Sequence, residues 1–324
     1  MQARRSRTPG CDYLAKMYPH SADEANISFD EKSHTCTFHG VQVEKSCTAL
    51  VSENFEIFDA WITVKKYYER WKLNKDARYW DIIASTDAET EQNRISDDEA
   101  QRRIVARWER LRDEASRKGT QLHMYCERVL NAAPDDLPLD ITEFGDIAKE
   151  VAQHTSFMGS DFITRFSLCP YATELLVWYT VNNQIVSAGQ VDAVMRSTDT
   201  GAFFLIDWKR VSSKRKLTAD EPSFQDRCGF GDCKDIPDTH FHKYSLQCSI
   251  YAIMLMHSHG FDVGDRLVLV RMHVDRDSYE LVQCCDWRRV AQSLLQSEYA
   301  RLRTKRRKVS RDEAGRMPEE APDA

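Results

Sequence analysis

The chain is expected to be an α/β protein with a mixed central β-sheet flanked by helices, and three observations carry that expectation. Three β-rich apolar runs, residues 174–181, 185–195 and 202–209, follow one another across Asn182-Asn183-Gln184 and Thr198-Asp199-Thr200-Gly201, turn chemistry that makes an antiparallel meander. A helical pattern over 243–256 is followed by a further strand at 266–274. A long helical pattern, opened by Ser96 with Glu99 three residues on, precedes the meander.

In chain order, residues 1–25 carry no sustained periodicity and are expected to be disordered. Residues 26–30 and 34–38 alternate across a short polar turn and predict a hairpin. Phe58, Trp61, Val64, Tyr68 and Trp71 recur at helical spacing, a stripe expected to be core; with the hairpin they form an extension, 26–95. In the Ser96 helix Ile104, Trp108 and Leu111 keep the period, Gly119 is expected to interrupt or restart it, and 120–130 continue. Residues 134–168 read as mixed helix and loop. After the meander, 211–241 form a long irregular insertion, of a length that is usually functional or mobile. A weaker strand at 279–283 and a closing helix at 287–303 complete a core of 96–303, and the basic, then acidic tail 304–324 is expected to be disordered.

Composition excludes little. A net charge of −6 argues against a nucleic-acid binder, yet the charge is segregated: acids crowd 87–100, and Arg301, Arg303, Lys305, Arg306, Arg307, Lys308 and Arg311 lie within eleven residues. That basic strip suits phosphates or nuclear import, or is simply a solvated helix end. No apolar run has bilayer length, so no membrane partner is expected. The N-terminus is basic without an apolar stretch behind it, which points to an intracellular location, with nucleus and mitochondrion both open. Ten scattered cysteines contain no CxxC pair, so zinc and iron–sulfur sites are not expected and most thiols should be small core residues.

The chemistry concentrates around Gly189-Gln190-Val191-Asp192 and Asp207-Trp208-Lys209. Strand side chains alternate, so Asp207 and Lys209 share a face, and pairing about the 197–201 turn sets Asp192 nearly opposite Asp207. Two acids and an amine on one face suit a divalent ion and a phosphodiester; an edge-strand ion pair is the plainer alternative. Two other Asp-x-Lys triplets, Asp30/Lys32 and Asp232/Lys234, lie in turns. Upstream, Gly119, His123 and Glu127 fall on one helical stripe, where His123 is either a metal ligand or a hydrogen-bonded core histidine. Downstream, Gln247 and Tyr251 are one turn apart, fit to orient phosphate oxygens or the lysine. Arg210, Lys214, Arg215, Lys216 and Lys243 are expected along a substrate path, with Trp208 or Phe230 as stacking aromatics.

The order of these motifs resembles the PD-(D/E)XK nuclease superfamily, and within it the RecB-like exonuclease branch. The matching residues are Gly119-x3-His123-x3-Glu127, then Glu174, then Gly189-x2-Asp192, then Asp207-Trp208-Lys209, then Gln247-x3-Tyr251, over about 115–275. Ser46-x-Thr48 is similar to the S-x-T element near the start of many such exonucleases, and the Asp-Trp-Lys form is similar to mitochondrial genome maintenance exonucleases and viral or eukaryotic relatives. The resemblance implies a restriction-endonuclease-like core and a Mg²⁺- or Mn²⁺-dependent exonuclease acting on DNA single strands or strand ends in repair, recombination or genome maintenance. It implies that His123, Asp192, Asp207 and the Trp208 carbonyl hold the ion. Lys209 then orients or deprotonates water or stabilises charge, Glu174 is catalytic or one layer back, and Ser46, Thr48, Gln247, Tyr251, Arg210 and Lys243 meet substrate. A structure-specific endonuclease and a catalytically inactive DNA-binding scaffold are the rival readings. Ideal pairing about Asn182-Asn183 would place Glu174 opposite Val191, off the face of Asp192, unless a bulge near Gly189 intervenes.

Overall fold

A computed structural model describes residues 11–19, 26–30, 33, 35–87, 94–133 and 142–314, the side chains of 309–314 excepted. The N-terminal part holds helix α1 (Tyr13–Met17), a small antiparallel sheet of β1 (Ile27–Asp30), β2 (Thr35–Phe38) and β3 (Val41–Gln42), and helices α2 (Cys47–Ser52), α3 (Ala60–Leu73) and α4 (Trp80–Ile83). The hairpin is where the alternation places it, with Lys32 outside the described residues. The segment expected to be disordered instead contributes α1, whose Leu14 is buried. On α3 only Val64, Tyr68 and Trp71 are buried, while Phe58 just before the helix and Trp61 stay exposed, so the aromatic stripe is only partly core.

Helix α5 (Asp97–Asn131) starts at Ser96, whose Oγ accepts the Glu99 N–H at 3.1 Å, and three acids in its first turn complement the helix dipole. It runs unbroken for 35 residues. Gly119 does not interrupt it: a single glycine costs only about 1 kcal/mol of helix propensity, which the packing at both ends offsets. Helices α6 (Ala148–Met158) and α7 (Asp161–Arg165) follow.

The central sheet comprises β4 (Leu168–Val181), β5 (Gln184–Ser197), β6 (Phe203–Arg210), β7 (Leu267–Met272) and β8 (Glu280–Gln283), paired in chain order. All neighbours are antiparallel except β6 and β7, which run parallel because helix α8 (His240–His259) crosses between them. This is the mixed sheet with flanking helices that the sequence predicts. Its side chains feed two large cores and a smaller one, in which Leu176, Trp178 and Ala188 meet Ile27, Cys36 and Phe38 of the N-terminal sheet. Leu175, Val177, Leu205 and Leu269 pack toward α2, α8 and the closing helix α9 (Arg288–Ala314). Met195, Ile206, Trp208 and Val270 pack toward Leu122, Tyr125 and Cys126 of α5 and toward α6. A separate core of Val64, Tyr68, Trp71, Ile104 and Val105 joins α3 to the N-terminal half of α5.

Helix α9 extends to Ala314, past residue 303, where the tail was expected to lose order, and Arg301 and Lys305 pair with Glu44 on the way. The insertion after β6 holds only short turns, but its start is anchored. Buried Arg271 on β7 donates from Nε to the Val211 carbonyl at 3.0 Å, and Asp275 accepts from Ser212 and Ser213. No helix among the described residues is long and apolar enough to cross a membrane.

Candidate metal centre

Register decides which acids meet. Asn182 and Asn183, both at positive φ, form a two-residue turn that pairs Val181 with Gln184 and Thr180 with Ile185. The next pair is Tyr179 with Ser187, so Val186 is an extra residue on β5. Beyond it Leu175 pairs with Val191 and Thr173 with Ala193, which puts Glu174 opposite Asp192. The correcting bulge therefore lies at Val186, three residues from Gly189. Glu174 itself has φ of 45°, a costly conformation for a residue with a side chain, and Gln190 Nε2 donates to its carbonyl at 3.2 Å.

The β5–β6 ladder ends at Ala193–Ile206. One step further Asp192 turns its carboxylate into the gap, and Oδ2 accepts the Trp208 N–H at 2.8 Å. From α5, His123 brings Nδ1 to 3.4 Å from Asp192 Oδ1 and 3.9 Å from Glu174 Oε1. One ligand atom from each of His123, Glu174 and Asp192 lies within 4.8 Å of the others, a cluster able to chelate a divalent cation. Glu174 thus takes a place in the cluster that the resemblance gives to Asp207. Asp207 sits beside it, with Lys209 Nζ 2.6 Å from its Oδ2. That contact is off the line of a hydrogen bond, and among the described residues Oδ2 has no other donor.

The electrostatics fit a cation site. Burial, and then the charge of Asp192, push the Glu174 carboxyl well above its usual range. Burial likewise lifts Asp207 to about 6, with Lys209 opposing. Burial alone would lower His123 and raise Asp192; their mutual attraction overrides it, holding the imidazole at about 9 and the carboxyl below its ordinary value. Burial would also lower Lys209, but Asp207 and Asp192 raise it. Three carboxyl groups crowded out of water, one with an oxygen lacking an aligned donor, are a donor set that a divalent cation satisfies.

Helix α8 closes the other side. Gln247 Nε2 donates to Tyr251 Oη at 3.1 Å and to Thr48 Oγ1 at 3.3 Å, while Ser46 caps α2 through the Ala49 N–H. The Ser46–Thr48 and Gln247–Tyr251 motifs therefore meet, and Lys209 Nζ stands 4.8 Å from the centre of the Tyr244 ring. Gly189 makes room for them: a Cβ there would lie 2.6 Å from Tyr251 Cε1 and 3.1 Å from Cys47 Cβ. Gly189→Ala is expected to displace Tyr251 and destabilise the protein by about 1–3 kcal/mol. An unchanged urea midpoint would contradict that packing.

Other expectations fare differently. Glu127 is buried, within charge range of Glu174. A Cβ on Gly119 would meet nothing within 4 Å, so among the described residues no other backbone uses the gap there. Arg210 is not available to substrate: its Nε donates to buried Glu150 at 2.8 Å. Trp208 cannot stack on a base, because it is 1 % exposed and wedged between His154 and Phe157 on the opposite sheet face. Lys243 pairs with Asp238 at 2.5 Å and stands over Phe55, whereas Lys214, Arg215, Lys216 and Phe230 are exposed. Sequence reasoning missed Tyr244, whose only signal is its place one residue after Lys243, three before Gln247.

No protein-family model and no curated protein matches the chain. Among solved structures it is similar to one titled "Crystal structure of SSO0001", at 16% identity and a TM-score of 0.25, over 48% of this chain and 57% of that one. A likeness this slight carries no argument about fold or activity.

Proposed function

We propose that this protein is a Mg²⁺- or Mn²⁺-dependent deoxyribonuclease with a restriction-endonuclease-like core, acting as an exonuclease on single strands or strand ends in DNA repair, recombination or genome maintenance. The observation that carries the reading is the His123–Glu174–Asp192 cluster with the Asp207–Lys209 pair against it. His123, Glu174 and Asp192 would hold the cation, with Asp207 and the Trp208 carbonyl alongside. When bound, such an ion activates water and neutralises charge gathering on phosphate oxygens.

The chain's own groups supply the rest. Lys209 brings a fixed positive charge to where the phosphoryl oxygens gain negative charge, and a compact ammonium fits there without two-point geometry. The Trp208 N–H holds Asp192 in one orientation, so the cluster needs little reorganisation. Gln247, held by Thr48 and Tyr251, presents a neutral amide edge to a phosphate or sugar.

The test incubates end-labelled single and double strands, and a circular single strand, with and without Mg²⁺ or Mn²⁺. Release from ends with the circle intact is expected; cutting of the circle would replace the exonuclease by an endonuclease. At cation concentrations near a hundred times Kd the protein should also gain about 2.7 kcal/mol of stability, read as a rise in Tm. No hydrolysis and no cation-dependent shift together would sink the proposal.

A further inference from the structure

A second site lies outside the metal cluster. A cleft of about 950 Å³ runs between α3, Trp108 of α5 and the segments 224–227 and 238–243. One wall is aromatic. Phe58 and Trp108 meet edge to face at 5.6 Å, Trp108 meets Trp71 at 5.9 Å, Tyr67 stacks on Trp71 at 6.1 Å, and Phe224 from the insertion meets Tyr67 at 6.5 Å. The inner members of this wall are packed into the α3–α5 core, but Phe58 is 66 % and Phe224 58 % exposed at its two ends. Together with the ring faces between them, these exposed aromatics form a contiguous apolar patch at the rim of a cleft, the kind of surface that binds a partner.

Charge narrows the occupant. Each acid in the cleft is already engaged: Asp76 with Arg78, Glu56 with Arg227, Asp238 with Lys243, and Asp59 with the Ile62 N–H. Lys66 and Arg70, one turn apart on α3, form no ion pair among the described residues, and with five Lys and Arg against four Asp and Glu the cleft carries a surplus of one positive charge. Flat apolar faces interleaved with unpaired cations complement a chain of bases and phosphates, and they favour it over a peptide, which offers no regular negative charge. Lys243 on its wall belongs to the same helix, α8, as Tyr244, which meets Lys209, and Gln247.

Resting on the nuclease reading above, we infer that this cleft is an accessory binding site for single-stranded nucleic acid, in which unpaired bases stack on Phe58 and Phe224 and phosphates pair with Lys66 and Arg70. These residues lie on the N-terminal extension and the insertion, not on the motifs around the metal cluster. The site recognises unstacked bases and therefore favours single strands over duplex.

The test measures fluorescence anisotropy of a labelled oligothymidylate on the full chain in EDTA, so that binding is read without cleavage. Phe58→Ala/Phe224→Ala is expected to weaken binding at least tenfold and Lys66→Gln/Arg70→Gln to weaken it and flatten its salt dependence. Leu111→Ala, an exposed apolar residue outside the cleft, serves as the control and should bind as the parent does. An oligomer of abasic units should bind the parent at least tenfold more weakly than the thymidylate. Equal affinity of the Phe variant and the parent, equal affinity for the abasic strand, or a blunt duplex bound as tightly as a single strand would each overturn the cleft. Loss of binding in the Phe variant, with a parent that hydrolyses nothing in Mn²⁺, would retain the cleft and overturn the nuclease.

Discussion

Asp192→Asn is expected to lower cation-dependent phosphodiester hydrolysis by roughly two to three orders of magnitude while leaving the fold in place. The amide keeps an oxygen to accept the Trp208 N–H, so the strand junction survives, but the cluster loses the carboxylate nearest His123. Lys209→Ala should cost a similar factor by a different route, since it leaves His123, Glu174 and Asp192 in place and removes the ammonium beside Asp207. The two variants therefore separate: the Asn variant loses the cation-dependent rise in Tm, and the Ala variant retains it. Single-turnover cleavage with repurified protein reads the rates. Hydrolysis within tenfold of the parent in either variant would remove that residue from the mechanism.

The second large effect concerns His154. It is fully buried among Tyr125, Phe157 and Trp208, and neither ring nitrogen has a hydrogen-bond partner among the described residues. Burial lowers its pKa to about 4, against an ordinary value of 6.5. A group depressed on folding binds its proton in the unfolded chain first, so stability is lost as pH falls from about 6.5 toward 4 and is untouched above 7. At pH 5 the loss is about 2 kcal/mol. His154→Leu is expected to be at least as stable as the parent at pH 7.5, because an unsatisfied polar group leaves the core, and to exceed it by about 2 kcal/mol more at pH 5. Urea unfolding at the two pH values checks this; an unchanged difference between variant and parent would show that His154 does not titrate in this range.

How much of this was legible in the sequence follows from the range of the interactions. Strands β5 to β7, the Ser96 cap and helix α8 answer to local periodicity and turn chemistry and appear within a few residues of expectation, whereas β4 starts at Leu168, six residues before the expected 174. The shared face of Asp207 and Lys209 is likewise a matter of two-residue alternation. Glu174 shows the limit. Asn182-Asn183 specify the turn, but the extra residue at Val186 is taken up by contacts across the hairpin, and those decide which side chain faces Asp192. Arg210 reads as a substrate cation because nothing nearby in the chain neutralises it, yet its partner Glu150 is 60 residues away. Trp208 alternates away from Lys209, and the aromatics that bury it come from α6. Helix α2 is six residues long, too short to show a period.

The uninterrupted α5 carries one more implication. Trp108 in the cleft and His123 in the cluster able to chelate a cation stand on the same rod, fifteen residues apart (123 − 108), which at 1.5 Å per residue is about 22 Å along the axis. With no hinge between them the spacing is a ruler. On the proposed reading, a strand that joins the two and advances about 3.4 Å per nucleotide needs about seven nucleotides to touch both ends. Oligonucleotides shorter than this reach only one end at a time, so KM plotted against substrate length should break near that size.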